Sequence, residues 1–274
     1  MSRQGKSTHA TSRLSDGSPS SSRRPARDRQ APLVHVWRWR VVAAAQPVPL
    51  NWALAVGDAV IDAITETSRR LSGTGLLPLS LHGPRDPKER GWTHGHAFVL
   101  SEDTDGDGIV DHVTISASVG LDPRALRLLV ATDRIRLSNG IGAELVTERV
   151  VPLAELPSSL RGPGCVWISR TAYLAPNDRP RFDVKDAVRQ LRHEIGKRGL
   201  SSPLARPPEP IEVLLHAGQE LPAHAFHLAK DNGGRLPEGA RPTFFRLTFE
   251  RPVGGPLAFG WASHRGLGLF VPAD

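Results

Sequence analysis

From His35 the chain alternates between apolar and polar positions. In His35-Val36-Trp37-Arg38-Trp39-Arg40-Val41-Val42, the side chains of Trp37, Trp39 and Val41 share one face and Arg38 and Arg40 the other. That is the period of a half-buried strand. After Pro47 and Pro49 the period lengthens: Leu54, Ile61, Ile64 and Leu71 recur at helical spacing, predicting a helix through about Arg70. A Gly/Pro-rich loop covers roughly 72–93. Two short strands, 96–101 and 111–117, follow around an Asp/Gly loop. Asp122-Pro123 reads as a helix start, with the carboxylate at the N-cap and proline in the first turn, and the helix is expected to reach about Ala131. Strand-like stretches at 134–137 and 143–151 complete the order β-α-β-β-α-β, the ferredoxin-like unit.

A second half begins near Arg161. Residues 166–173 read as a strand, and Val184, Val188, Leu191 and Ile195 form the apolar stripe of a helix over about 183–199. Beside that stripe Lys185, Arg189 and Arg192 recur at i, i+4 and i+7. Strands near 211–215 and 243–249 follow, then 256–259 and a glycine-rich loop, Gly260-Trp261-Ala262-Ser263-His264-Arg265-Gly266-Leu267-Gly268, which runs into the apolar Leu269-Phe270-Val271. A second helix is not evident in this half. The expected fold is therefore α+β: two tandem ferredoxin-like (RRM-related) units, the second degenerate, with a C-terminal glycine-rich loop. The units are expected at 32–157 and 158–274.

Composition changes this picture mainly at the N-terminus. Residues 1–31 are rich in Ser, Arg and Pro with almost no large apolar side chains, too few to offset the entropy of ordering, and are expected to be a disordered basic tail. They hold seven basic residues (Arg3, Lys6, Arg13, Arg23, Arg24, Arg27, Arg29) against Asp16 and Asp28, a net of +5 out of the chain's +7. Any polyanion must therefore be bound by the folded part through local patches. With 39% hydrophobic residues in 274, a sizeable core can be filled. The lone Cys165 excludes an internal disulfide and fits a reducing cytoplasm. No apolar run reaches membrane-spanning length, and no membrane partner is expected.

Three segments could carry chemistry. Successive amides in the 260–268 loop can form a concavity suited to phosphate, with Arg265 adding a fork of donors; the plainer reading is a turn. In Asp103-Thr104-Asp105-Gly106-Asp107-Gly108-Ile109-Val110-Asp111, carboxylates at positions 1, 3, 5 and 9 with glycine at 6 follow the ligand order of a calcium loop, although position 12 is Thr114 and the flanks read as strands. A structural calcium on Asp103, Asp105, Asp107 and Asp111 and a tight hairpin whose carboxylates bond their own backbone both fit. His94 and His96, two apart at the start of a strand, point the same way, which suits acid–base work near neutral pH; structural roles, or a metal completed by His82 or His112, stay open.

Four motifs stand in order: His94-x-His96-Ala97-Phe98; Glu102-Asp103-x-Asp105-Gly106-Asp107-Gly108-x-x-Asp111-His112-Val113-Thr114; Val166-Trp167 with Thr171-x-Tyr173; and Pro252-Val253-x-Gly255-Pro256-Leu257 through Ser263-His264-x-Gly266-Leu267-Gly268-Leu269-Phe270. Over about residues 36–272 this series resembles the CRISPR-associated repeat-processing proteins of the type I-U (I-G) systems, within the RAMP superfamily of crRNA endoribonucleases. The resemblance implies a metal-independent endoribonuclease that binds CRISPR repeat RNA. In that chemistry the RNA's 2′-hydroxyl attacks the adjacent phosphate, leaving a 2′,3′-cyclic phosphate and a 5′-hydroxyl. It assigns acid–base roles to His94 and His96 and RNA contact to His264, Arg265, Gly266 and Gly268. No cofactor is required.

Beside the resemblance, Arg38, Arg40, Arg170 and the Lys185/Arg189/Arg192 stripe offer phosphate neutralisation on ferredoxin-like sheets. Members of the family are about twice as long, with an N-terminal half resembling the subunit that caps the 5′ handle of crRNA. Here a basic tail stands in its place, so that function is expected from a separate chain or not at all. The enzyme would work in the cytoplasm and could remain in a type I effector complex with other subunits. The other readings are a non-catalytic crRNA-binding subunit and a calcium-stabilised domain with no RNA role.

Overall fold

The computed structural model describes residues 33–43, 46–82, 96–156, 158–177, 183–216, 218–228, 236–239 and 241–273. The expected tail, 1–31, lies outside them. The first alternating stretch forms β1 (Val36–Ala43), and the helical stripe forms α1 (Ala53–Ser72), which ends where Gly73 takes the left-handed conformation at φ 74°. A single turn, α2 (Leu79–His82), lies inside the expected loop. The strands β2 (Phe98–Glu102) and β3 (His112–Ser116) flank the Asp/Gly loop. Then α3 (Pro123–Val130) begins as expected: Asp122 Oδ1 accepts from the amides of Arg124 and Ala125, each at 2.9 Å. The short β4 (Arg134–Arg136) and long β5 (Gly142–Val151) close the unit.

The first sheet has the order β2-β3-β1-β5-β4, with every pair antiparallel. Apart from the short β4 at the edge, this is the ferredoxin-like arrangement. Trp37 and Trp39 face α1 and α3, burying against Val56, Val60, Ile64, Leu128 and Leu129.

The second half repeats the pattern. After α4 (Ser158–Arg161) come β6 (Gly164–Ser169), α5 (Val184–Lys197), β7 (Glu209–Ile211), the hairpin β8 (Val213–His216) and β9 (Gln219–Pro222), then β10 (Phe244–Val253), β11 (Leu257–Ala258) and β12 (Leu269–Pro272). Its sheet order is β11-β12-β6-β10-β7. Read from β11, the order matches the first sheet read from β4 strand for strand, including a short extra strand beside the last one. The degenerate feature is located too: among the described residues no helix separates β10 from β12, and the glycine-rich loop stands there instead.

One stretch departs from expectation. Residues 211–215 divide between β7, which joins the sheet, and β8, which pairs only with β9. That hairpin packs Leu214, Ala223 and Phe226 against Ala53 and Leu54 at the start of α1. A further apolar seam (Val36, Leu100, Leu156, Leu160, Ala258, Leu269) covers the outer face of the first sheet with residues of the second. Among the described residues no helix is long and apolar enough to cross a membrane.

Candidate functional site

The glycine-rich loop does not stand away from the protein. It leaves β11, passes Gly260 and Ala262 in left-handed conformations, and returns to β12 under the grip of Thr171. The Thr171 hydroxyl donates to Gly266 O at 2.8 Å and accepts from Leu269 N at 2.9 Å. A Cβ on Gly266 would come 2.6 Å from Ala53 O, and one on Gly268 only 1.8 Å from Phe259 O. Both glycines are buried, and the close approach they permit is to the chain's own backbone. Their work is to seat His264 and Arg265 against β2 and α1, where Val99 N donates to His264 O at 3.3 Å.

The seating brings two of the expected residues together. His264 stacks on His96, with ring centroids 3.8 Å apart, and on Phe98 at 3.9 Å. Side chains two apart on an extended chain are separated by about 6.6 Å on one face, which leaves room for one planar ring between them. His264 fills that slot. Its Nδ1 faces Ala97 O at 3.1 Å, so Nδ1 carries the proton in the neutral ring and Nε2 the lone pair. Across Phe98 from this stack, the Arg198 guanidinium lies 5.2 Å from the ring centroid.

His96 titrates below its ordinary 6.5. Burial is the largest cause, followed by the nearby His82, Arg265 and Arg198. It is therefore neutral at pH 7, and its buried Nδ1 has no hydrogen-bond partner among the described residues. His94 lies outside the described residues. Arg198, not anticipated from sequence, is held by Glu194 at 3.2 Å and Ala258 O at 2.9 Å, while Glu194 also accepts from Gly260 N at 2.8 Å. Burial pulls the Arg198 pKa down and pushes that of Glu194 up, the latter offset in part by Arg198. The sequence signal was available: Glu194 and Arg198 are an i, i+4 pair on α5.

The basic stripe leads toward this stack. Lys185, Arg189 and Arg192 are exposed on α5, with Arg189 paired to Asp186. Arg189 continues through His193 and Lys197 along a cleft of about 530 Å³ that also touches Gly260. Lys197 and Arg198 then border a cleft of about 280 Å³ with Phe98, Ser116 and Ser118. Arg40 is exposed on β1.

Arg38 and Arg170 are committed elsewhere. The Arg38 guanidinium is 7% exposed and grips Glu102 through two bonds, at 3.0 and 3.2 Å, and Glu148 at 2.6 Å. Glu148 comes from the adjacent β5 and Glu102 from β2, one strand beyond β3, and the seam covers the sheet face. Arg170 clasps Asp103 at 3.0 Å and borders a cavity of about 600 Å³ with Glu102, Leu160 and Val271.

In the Asp/Gly loop, carboxylate oxygens of Asp103, Asp105 and Asp107 lie within 4.8 Å of one another. Asp111 turns away, accepting from Thr104 N at 3.0 Å and pairing with His112. The loop's carboxylates bond its own backbone: Asp103 accepts from Gly106 N and Gly108 N, and Asp107 from Ile109 N. Burial alone would raise the Asp103 pKa, but His216, Arg170 and the two glycine amides hold it below the ordinary carboxylate value. Three of the four expected ligands thus gather, and the buried one is already occupied by protein donors.

No protein-family model matches the chain, and no curated protein does. Among solved structures it is similar to one described as CRISPR associated protein Cas6, at 10% identity over 88% of this chain and all of that one, with a TM-score of 0.41. It is also similar to an RAMP protein binding different RNA substrates (12% identity, 88% and 100% covered, TM-score 0.38). A third is a Cas6-related protein from Pyrococcus furiosus (11%, 87% and 98%, 0.37). The ferredoxin-like assignment rests on the strand order and pairing above.

Proposed function

We propose that the chain is an endoribonuclease that binds CRISPR repeat RNA and cuts it to mature crRNA, with the RNA's own 2′-hydroxyl as nucleophile and no metal ion in the chemistry. The observation that carries this reading is the insertion of His264 between His96 and Phe98, beside Arg198 and Arg265. The two imidazoles stand 3.8 Å apart, close enough to serve the two oxygens of one phosphodiester. The neutral member takes the proton of the 2′-hydroxyl. The freed oxygen forms a bond to phosphorus, the bond to the 5′-oxygen breaks, and the protonated member gives its proton to that leaving oxygen. The products are a 2′,3′-cyclic phosphate and a 5′-hydroxyl. His96, held neutral by burial, fits the base, and His264 fits the acid through Nε2. Arg198 and Arg265 offset the charge that builds on the phosphate.

The ordered motifs from His96 to Phe270 favour the type I-U (I-G) branch of the RAMP superfamily. The exposed basic face of α5 suits retention of the product RNA, and with it membership of a type I effector complex. The exposed, unpaired Cys165 fits a cytoplasmic setting. The test is single-turnover cleavage of repeat RNA from the chain's own locus. His96→Ala and His264→Ala should each slow it by roughly two to four orders of magnitude, the usual share of general acid–base catalysis. Tight binding with no cleavage by the wild type would instead support a non-catalytic crRNA-binding subunit.

A further inference from the structure

Asp58 sits on α1 directly after Gly57, and its carboxylate is buried within the apolar start of that helix, 5% exposed. A buried carboxylate there needs a reason, and the reason is Arg265. The guanidinium NH1 of Arg265 donates to Asp58 Oδ1 at 3.1 Å. The backbone of the same arginine rests on Gly57, where a Cβ would come 2.1 Å from Arg265 O. Two successive α1 residues therefore hold one loop residue, the first by lacking a side chain and the second by charge. The guanidinium stays 26% exposed and lies close enough to His96 to lower its pKa. An arginine has five N–H donors, so a single bond to Asp58 anchors one end of the guanidinium while leaving donors for another anion.

We infer that Asp58 is a positioning residue: it aims the Arg265 guanidinium at the RNA phosphate that lies beside the His96–His264 pair. This rests on the endoribonuclease reading for the identity of the anion. The pairing itself rests on the geometry of α1 and the loop.

The experiment uses the full chain and its repeat RNA, with Asp58→Asn, Arg265→Gln and the double variant. Asp58→Asn should slow single-turnover cleavage by about tenfold to a hundredfold, the cost of a misplaced group at a reacting centre. RNA affinity should fall by no more than about tenfold, the share of the one phosphate contact that is lost. The double variant should be no slower than Arg265→Gln alone, since the two residues act as a unit. Arg265→Lys keeps charge but loses the fork and should match Asp58→Asn, which preserves the test should the asparagine variant not fold. Wild-type cleavage by Asp58→Asn, or losses that multiply in the double variant, overturns the inference.

A binding readout separates this outcome from failure of the endoribonuclease reading. In RNAs bearing single uncharged methylphosphonate linkages, one position should weaken wild-type binding by about tenfold while leaving Asp58→Asn and Arg265→Gln almost indifferent. If the wild type binds but does not cut, that pattern still upholds the arginine's aim. Its absence sinks it.

Discussion

At the scale of single residues, the depressed pKa of His96 has two consequences with defined signs. As the proposed base, His96 must be neutral, so the acid limb of the cleavage rate should be centred below 6.5. A pH–rate profile under single-turnover conditions checks this; an acid limb centred above 6.5 would assign the base to another group. Folding carries the same signature. The unfolded chain takes up a proton on His96 near 6.5 and the folded chain only at lower pH. The stability associated with the neutral ring is therefore present above 6.5 and is lost on acidification. His96→Gln should flatten that part of the melting-temperature profile. Arg38 gives the contrasting case. It was expected to meet phosphate, yet its two carboxylate partners make it a buried ion-pair centre. Arg38→Gln should lower stability by about 3–5 kcal/mol by leaving the buried Glu102 carboxylate without its cation. Arg40→Gln, at an exposed position, should change only RNA binding and its salt dependence. Thermal melts and salt titrations of the two variants decide between these roles.

At the scale of elements, one substitution should act with opposite signs in two helices. Gly196 lies in α5 with nothing near its missing Cβ, so Gly196→Ala should stabilise by about 0.5–1 kcal/mol through helix propensity. Gly57 lies in α1, where the same methyl group would strike the backbone of Arg265. Gly57→Ala should lower the melting temperature and, by displacing the loop, slow cleavage. A neutral Gly57→Ala would mean that the loop is not seated on α1. The elements themselves were legible wherever one chain segment holds the whole signal: the alternation around Trp37 and Trp39, the stripe of α1, and Asp122-Pro123 opening α3. The glycines of the loop were legible as close-approach positions, but not what they approach, because Ala53 and Phe259 reach them only through tertiary packing. The pairing of Arg38 with Glu102 and Glu148 depends on strand register across 64 and 110 positions, which no local pattern encodes. His264 entering between His96 and Phe98 is hidden for the same reason, although each residue stood out alone.

At the scale of the whole molecule, the two sheets share one strand order, and the helix missing from the second is replaced by the loop that carries His264 and Arg265. The loop that stands where that helix would be packs His264 and Arg265 against β2 and α1 of the first half. Charge is arranged on the same scale: exposed Lys185, Arg189, Arg192 and Lys197 run along α5 toward the stacked histidines. Residues 1–31 add +5 at the other end of the sequence. Deleting them should weaken RNA binding modestly and make it less salt-dependent, by about 0.7 in the log–log slope for each phosphate that is no longer neutralised. The most direct measurement is cleavage of the cognate repeat RNA in EDTA, with and without a 2′-deoxy substitution at the nucleotide that is cut. The wild-type chain should cut the all-ribose RNA in EDTA to a 2′,3′-cyclic phosphate and leave the substituted RNA intact. Cleavage of the 2′-deoxy RNA, or loss of all cleavage in EDTA while the protein stays folded, would contradict a histidine-driven attack by the RNA's own hydroxyl.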